Sequence, residues 1–348
     1  MQSLIHTKHP RSAAILAHEE LCVRTAQQHR RLSMLPFSTT LLQQMHLETF
    51  NLLHENLVSL RRRDPKSFYT GSRQLHGVTA MHGTFEQELM EGVKAFQAQR
   101  ASDATQVNQQ LTDVLSCRIG SLLLMRQAQR LMQAEALSAN EGQVPDDRAG
   151  PVLKEVSIRS LLEGAAPIAQ GICERVHGRA ARVLVEGAAD TQLLCAPSHL
   201  NHVFMELFKN ALHATATAHQ DAKVPPPDIV ARVGVGKNEL GIRIIDKGTG
   251  MPREHLRPAF EFCYSTSKAP QAYVDGTDAA RGGHVSGGRY HVPPPLAGMG
   301  LGLPMSRLYT RHFGGDLGLI AVENGGAEST VWLPLMPTIL ENIPTTVE

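Results

Sequence analysis

Residues 197–215 read PSHLNHVFMELFKNALHAT. Val203, Leu207, Ala211 and Ala214 recur at three- and four-residue spacing, which predicts a helix with one buried stripe. Ser198 can cap it, giving a helix from His199 to about Ala218. His202, Glu206 and Asn210 stand four apart and share the neighbouring stripe. A carboxylate and an amide beside a buried face can serve as a base and a metal ligand. An Asn oxygen with waters suits Mg²⁺, which keeps much of its hydration. The same residues also fit a polar helix boundary in which neighbours satisfy each group. The helix alone therefore leaves both readings open.

Two later stretches add to it. Ile244-Ile245-Asp246 is an apolar strand that delivers an acid into the turn Lys247-Gly248-Thr249-Gly250-Met251-Pro252. Glycines let a backbone approach a ligand closely, and an Asp there can accept from an amino group such as an adenine amine. An ordinary strand-to-loop turn would use the same residue types. Further on, Ala297-Gly298-Met299-Gly300-Leu301-Gly302-Leu303-Pro304 runs into a helix. Alternating glycines ahead of a helix N-terminus form a cradle for phosphate, because free N–H groups and the helix dipole both favour anions. No Gly-Lys-Ser/Thr follows, so this is not the P-loop pattern, and it is not G-x-G-x-x-G.

Around these elements the pattern predicts a mixed α/β sandwich. Val156 to Val176 reads as helix and Val183–Val185 as strand. Ile229 to Val235 and Leu240 to Ile245 alternate about a turn at Lys237-Asn238. Leu303 to Phe313 reads as helix, with strands at Leu317–Val322 and Thr330–Leu335. Residues from about 14 to 137 instead show only helical periodicity, as in Leu41–Leu60, Phe85–Phe96 and Leu111–Leu131. That half is expected to be a helical bundle of four-helix type. SANEGQVPDDRAG, residues 138–150, separates the halves as a linker. The expected domains are a targeting or disordered segment over 1–20, a helical domain over 21–150 and a nucleotide domain over 151–348. Residues 268–297 lack periodicity, are rich in Gly, Pro and His, and are expected to supply a lid or a disordered segment.

Composition narrows the function. The chain has 348 residues and a net charge of +1. Its first 150 residues hold 16 basic and 14 acidic side chains, and the rest hold 18 and 19. Neither half has the one-signed charge of a nucleic-acid binder. No apolar run is long enough to span a membrane. Five scattered cysteines without a C-x-x-C support neither a zinc ribbon nor a disulfide framework. The first 18 residues hold Lys8 and Arg11 and no acid, which suits a mitochondrial presequence and equally a disordered start.

The Asn-bearing helix, the Asp-x-Gly-x-Gly turn and the Gly-x-Gly-x-Gly helix start follow one another in that order. This order resembles the ATP-binding fold of histidine kinases, gyrase, Hsp90 chaperones and MutL, over about residues 155–336. Residues 197–215, Phe262-Cys-Tyr-Ser-Thr266, Pro295–Tyr309 and Gly314-Gly-Asp-Leu317 are similar, more narrowly, to the mitochondrial α-ketoacid dehydrogenase kinases, the pyruvate and branched-chain enzymes. Leu35-Pro36 and Glu91-Gly92-Val93 carry a weaker likeness in the first half.

The resemblance implies an ATP- and Mg²⁺-dependent serine/threonine kinase of the mitochondrial matrix, with K⁺ as a further cofactor. It would inactivate a dehydrogenase complex by phosphorylating the E1α subunit. A homodimer and contact with the E2 lipoyl domain are also implied. Glu206 would be the general base and His202 would orient or tune it. Asn210 would hold Mg²⁺, and Asp246 would bind the adenine amine with Gly248 and Gly250 allowing close approach. Thr266 would line the pocket. Gly298, Met299, Gly300, Leu301, Gly302 and Leu303 would wrap the phosphates, with Lys209 and His213 nearby.

Some residues depart from the family pattern. His213 stands where the family has Arg, and Gly325-Gly326-Ala327-Glu328 where it has Gly-Thr-Asp. Ala128 replaces a histidine that usually follows the segment Cys117-Arg118-Ile119, and the late Asp-Trp tail is missing. Three rival readings remain: a histidine kinase with His54-Glu55 as its acceptor, an ATPase switch in which Glu206 activates water, and a nucleotide-binding scaffold.

Overall fold

The computed structural model describes residues 10–61, 65–99, 104–138, 152–222, 224–264, 300–322 and 325–335. Thr266, Gly298, Met299, the expected lid and the 138–150 linker beyond Ser138 lie outside the described residues.

The first half is helical throughout: α1 Pro10–Ser33, α2 Thr40–Arg61, α3 Pro65–Met81, α4 Phe85–Gln99 and α5 Ala104–Ser138. Helices α1, α2, α3 and α5 pack as a bundle around Leu21, Leu53, Leu60, Phe68, Leu75 and Leu124. Helix α1 starts earlier than expected, and Ala13, Ala14 and Ala17 are buried. Residues 10–20 are therefore part of the bundle, which corrects the expectation of a disordered stretch there. Small alanines let α1 lie close to its neighbours, and an apolar face of that kind folds rather than staying in water.

The second half is a layered α/β unit. A two-stranded antiparallel sheet pairs β1 Lys154–Ser157 with β3 Gln192–Cys195. Helix α6 Ile158–His177 follows β1 directly. Ser157 caps it by accepting the Ser160 N–H at 3.1 Å, and Gly178 ends it at φ 70°. The expected helix from Val156 thus begins two residues later, after a short strand.

Next come β2 Val183–Gly187, α7 Pro197–Ala218, β4 Ile229–Val235, β5 Glu239–Ile245, α8 Arg253–Leu256, α9 Gly302–His312, β6 Asp316–Ala321 and β7 Ala327–Pro334. The main sheet has the order β2-β4-β5-β7-β6, with β2 and β4 parallel and the remaining pairs antiparallel. Ile229, Ala231, Val233, Leu240, Ile242, Ile244, Val331 and Leu333 share a core with α6 and α7. The alternating partners face outward, where Arg232 pairs with Glu186. Helix α7 does not use Ser198 as its cap. It starts at Pro197, whose missing N–H costs nothing at a helix's first position.

A third core joins the halves. Phe85, Leu89 and Val93 of α4 and Leu111 and Leu115 of α5 pack with Phe262, Leu301, Met305 and Leu308. The start of α9 is thus built on the helical half.

Candidate functional site

Helix α7 presents His202, Glu206 and Asn210 on one stripe, as the spacing requires. Asn210 is exposed and Glu206 is 7% exposed. A carboxylate buried that far must be paired. Lys209 donates to its Oε1 at 2.8 Å. On the other side Gly302 opens α9, and a Cβ there would stand 2.4 Å from Glu206 Oε2. The last glycine of the run therefore lies against the acid, with no room for a side chain between them. The Lys209 ammonium, expected near phosphates, is engaged by Glu206.

His202 is enclosed. Its ring meets Tyr309 of α9 edge-to-face with centroids 5.3 Å apart, and its Nε2 has no partner among the described residues. Burial holds this imidazole below its usual range, partly opposed by the Glu206 charge. His202 is therefore a neutral neighbour of the carboxylate near neutral pH. Tyr309 also packs on His199, with centroids 4.4 Å apart, and burial pushes its hydroxyl up to about 12. Tyr309 closes the 295–309 stretch that carries the family likeness, but a tyrosine in an amphipathic helix does not by itself announce a contact with His202.

Asp246 directly follows β5 and is 7% exposed. Its Oδ1 accepts the N–H groups of Gly248 at 2.9 Å and Ala327 at 3.1 Å. Burial raises its carboxyl above the usual range, and the two N–H donors partly offset this. Both donors fall on one oxygen, so Oδ2 remains for a ligand. Gly248 lies flat on α7, because a Cβ there would be 2.5 Å from the Ala214 carbonyl carbon. Gly250 takes φ 71°, which glycine adopts without strain.

Two departures from the family pattern now have a structural account. Gly326, at φ 91°, lets the chain touch the Asp246 carbonyl, where a Cβ would come within 2.2 Å. The Ala327 N–H then supplies a main-chain contact to Asp246, and the buried Glu328 carboxylate pairs with Arg243 and accepts from Thr330. His213 is exposed and its Nδ1 lies 2.8 Å from Nε2 of His177. Partial desolvation of the ring and the neighbouring His177 together lower its pKa, so it carries less positive charge than an arginine would.

Of the residues leading into α9, Gly302 lies against Glu206, Gly300 against Cys263 and Tyr264, and Leu301 is buried in the core shared with the helical half. No cluster of three metal-ligating side chains occurs among the described residues. Mg²⁺, which uses few protein ligands and keeps waters, fits the single exposed amide of Asn210 better than a transition metal would. His54 is an exposed residue on α2, stacked on Phe50 and remote from these elements in sequence. No helix among the described residues is long and apolar enough to cross a membrane.

Comparison with known proteins identifies the lineage. The family model for histidine kinase-, DNA gyrase B- and HSP90-like ATPases matches residues 195–337. The model for mitochondrial branched-chain alpha-ketoacid dehydrogenase kinase matches residues 2–150. In both halves the chain is similar to GHKL-type kinases of mitochondrial dehydrogenase complexes. This kinase is 28% identical over 338 residues to mouse pyruvate dehydrogenase kinase isozyme 3, covering 93% of this chain and 76% of the relative. The Arabidopsis thaliana pyruvate dehydrogenase kinase is 26% identical over 339 residues, covering 95% of this chain and 87% of its own length. The Schizosaccharomyces pombe enzyme is 34% identical over 197 residues, 54% of this chain and 43% of its own. The kinase is therefore an ATP-using protein kinase built on the GHKL fold, with a helical first half and a mixed α/β second half.

Proposed function

We propose that this kinase transfers the γ-phosphate of ATP to a serine or threonine hydroxyl on the E1α subunit of an α-ketoacid dehydrogenase complex in the mitochondrial matrix, inactivating that complex. The observation that carries this reading is the Glu206 carboxylate, buried, held by Lys209 and closed over by Gly302 on the stripe that also bears Asn210. A base placed against the phosphate cradle needs only a hydroxyl in line with the γ-phosphate. Glu206 Oε2 would take the hydroxyl proton as the phosphoryl group passes to the oxygen. Lys209 keeps the carboxylate oriented, and neutral His202 adds no competing positive charge. Asp246 Oδ2 would accept from the adenine amine. The Gly300–Leu303 amides and Mg²⁺ on Asn210 would neutralise phosphate charge, which is most of what phosphoryl transfer asks of a protein. Homodimer assembly, a lipoyl-domain contact and K⁺ use belong to the same proposal by resemblance to the family.

The deciding assay offers labelled ATP with purified pyruvate and branched-chain E1 components side by side. Acid-stable label on one E1α is expected. Label on neither, or acid-labile label on a histidine of the kinase, overturns the proposal. A second expectation concerns Asn210→Ala. Calorimetry with MgATP should show affinity reduced about tenfold, while metal-free ATP binding changes by less than about twofold. Unchanged MgATP affinity removes Asn210 from the Mg²⁺ site.

A further inference from the structure

The glycine segment before α9 meets the chain at Cys263. The Cys263 N–H donates to the Gly300 carbonyl at 3.1 Å. A Cβ on Gly300, which takes φ 67°, would lie 2.6 Å from the Cys263 carbonyl carbon. Cys263 itself takes φ 63° and is the one described non-glycine residue with positive φ. Such a conformation persists only where surrounding contacts fix it.

Those contacts come from the helical half. Asn108, in the second turn of α5, accepts the Phe262 N–H at Oδ1 with a 2.8 Å separation. Phe262 and Leu301, 3% and 1% exposed, share the core with Val107 and Leu111. Cys263 Sγ rests 3.6 Å from Met90 Sδ on α4. Two residues past Gly300, the chain reaches Gly302 and the Glu206 carboxylate. An unbroken path therefore runs from Asn108 through Phe262, Cys263, Gly300 and Gly302 to Glu206.

We propose that Asn108 is a positioning residue for phosphoryl transfer. From the helical half it fixes the root of the glycine segment, and so fixes how ATP phosphates lie against Glu206. The inference rests on reading Gly300–Gly302 as the phosphate cradle. Asn108 stands on α5, away from Glu206, Asn210 and Asp246 in the chain, and its role here is one of positioning. It acts through its hydrogen bond to the Phe262 N–H, a part-buried donor that costs free energy when left without an acceptor.

The test uses the full chain and MgATP without a protein acceptor, so it does not depend on which dehydrogenase is the target. Asn108→Leu removes the acceptor at similar volume, and Asn108→Asp keeps an oxygen in its place. Asn108→Leu should weaken MgATP about tenfold and speed hydrogen exchange at the Phe262 amide, with nucleotide-free melting within about 3 °C of wild type. Asn108→Asp should bind within about threefold of wild type. Wild-type affinity in Asn108→Leu overturns the proposal, and so does Asn108→Asp weakening as far as Asn108→Leu. If Asn108→Leu does not fold, wild-type exchange decides: a Phe262 amide as protected as the α5 core supports the hydrogen bond, and rapid exchange overturns it. Gly302→Ala separates the two readings. If it leaves MgATP affinity unchanged, the cradle reading fails. If it weakens MgATP while Asn108→Leu does not, only the role of Asn108 fails.

Discussion

Glu206→Gln is expected to lower phosphoryl transfer by about 10²–10⁴-fold and leave MgATP affinity within about threefold. The substitution keeps the shape of the side chain. Its Oε1 can still accept from Lys209, and the terminal group still fits against Gly302. Only the ability to take a proton is lost. A base acts mainly in the transition state, so kcat falls while nucleotide binding is spared. Single-turnover transfer and calorimetric MgATP binding check the two halves separately. Wild-type transfer removes Glu206 as the base. Joint loss of binding and transfer shows that the residue builds the pocket instead.

The stripe bearing Glu206 was readable because a helix fixes which residues share a face. One periodicity therefore placed His202, Glu206 and Asn210 together. The inward alternation of β4 and β5 was readable for the same reason. What escaped depends on contacts between distant segments. Strand β1 is four residues long, and Val156 continues the apolar pattern of α6, so only the pairing with β3 separates strand from helix. Asn108 and Phe262 are 154 residues apart, and nothing in either neighbourhood announces the hydrogen bond. Gly325-Gly326-Ala327-Glu328 departs from the family's Gly-Thr-Asp in its side chains. The structure shows a main-chain N–H on Asp246 there, which side-chain letters do not reveal. The shared core also shows that the first half, whose family likeness is weak by short motifs but matched over residues 2–150, is not a detachable part. Phe85 and Leu111 complete the seat of Leu301 and Met305.

The helical half is also expected to lose stability steeply in mild acid, by about 2–4 kcal/mol between pH 7 and pH 5. His82 lies between α3 and α4, and its two nitrogens have opposite duties. Thr49 Oγ1 donates to the Met45 carbonyl, so it accepts from His82 Nε2 at 2.8 Å. Arg118 points an N–H at His82 Nδ1 from 3.2 Å, so that nitrogen must stay unprotonated. Arg118 is held there by Glu86 at 2.7 Å and by the Phe85 ring 4.0 Å away. Burial, the Arg118 charge and neighbouring His46 push the His82 imidazole down to about 2. His46 donates from Nδ1 to the Leu42 carbonyl at 2.7 Å. Burial pushes it down to about 4, with smaller contributions from Arg118 and His29 opposing that hydrogen bond. Both groups therefore stay neutral in the folded chain and titrate near 6.5 when unfolded. Below pH 6.5 the unfolded state binds more protons, so stability falls with pH. The loss continues through about pH 4 for His46 and towards about pH 2 for His82. Each histidine contributes up to about 2 kcal/mol by pH 5. Urea unfolding followed by helical circular dichroism at pH 7, 6 and 5 measures the slope. His82→Gln can still donate to Thr49 and accept from Arg118 but cannot titrate, so it should reduce the slope, leaving the shares of His46 and of buried His18 on α1. An unchanged slope in that variant would place the acid sensitivity elsewhere. A flat wild-type profile would mean that the His82 site opens to water before the helices unfold.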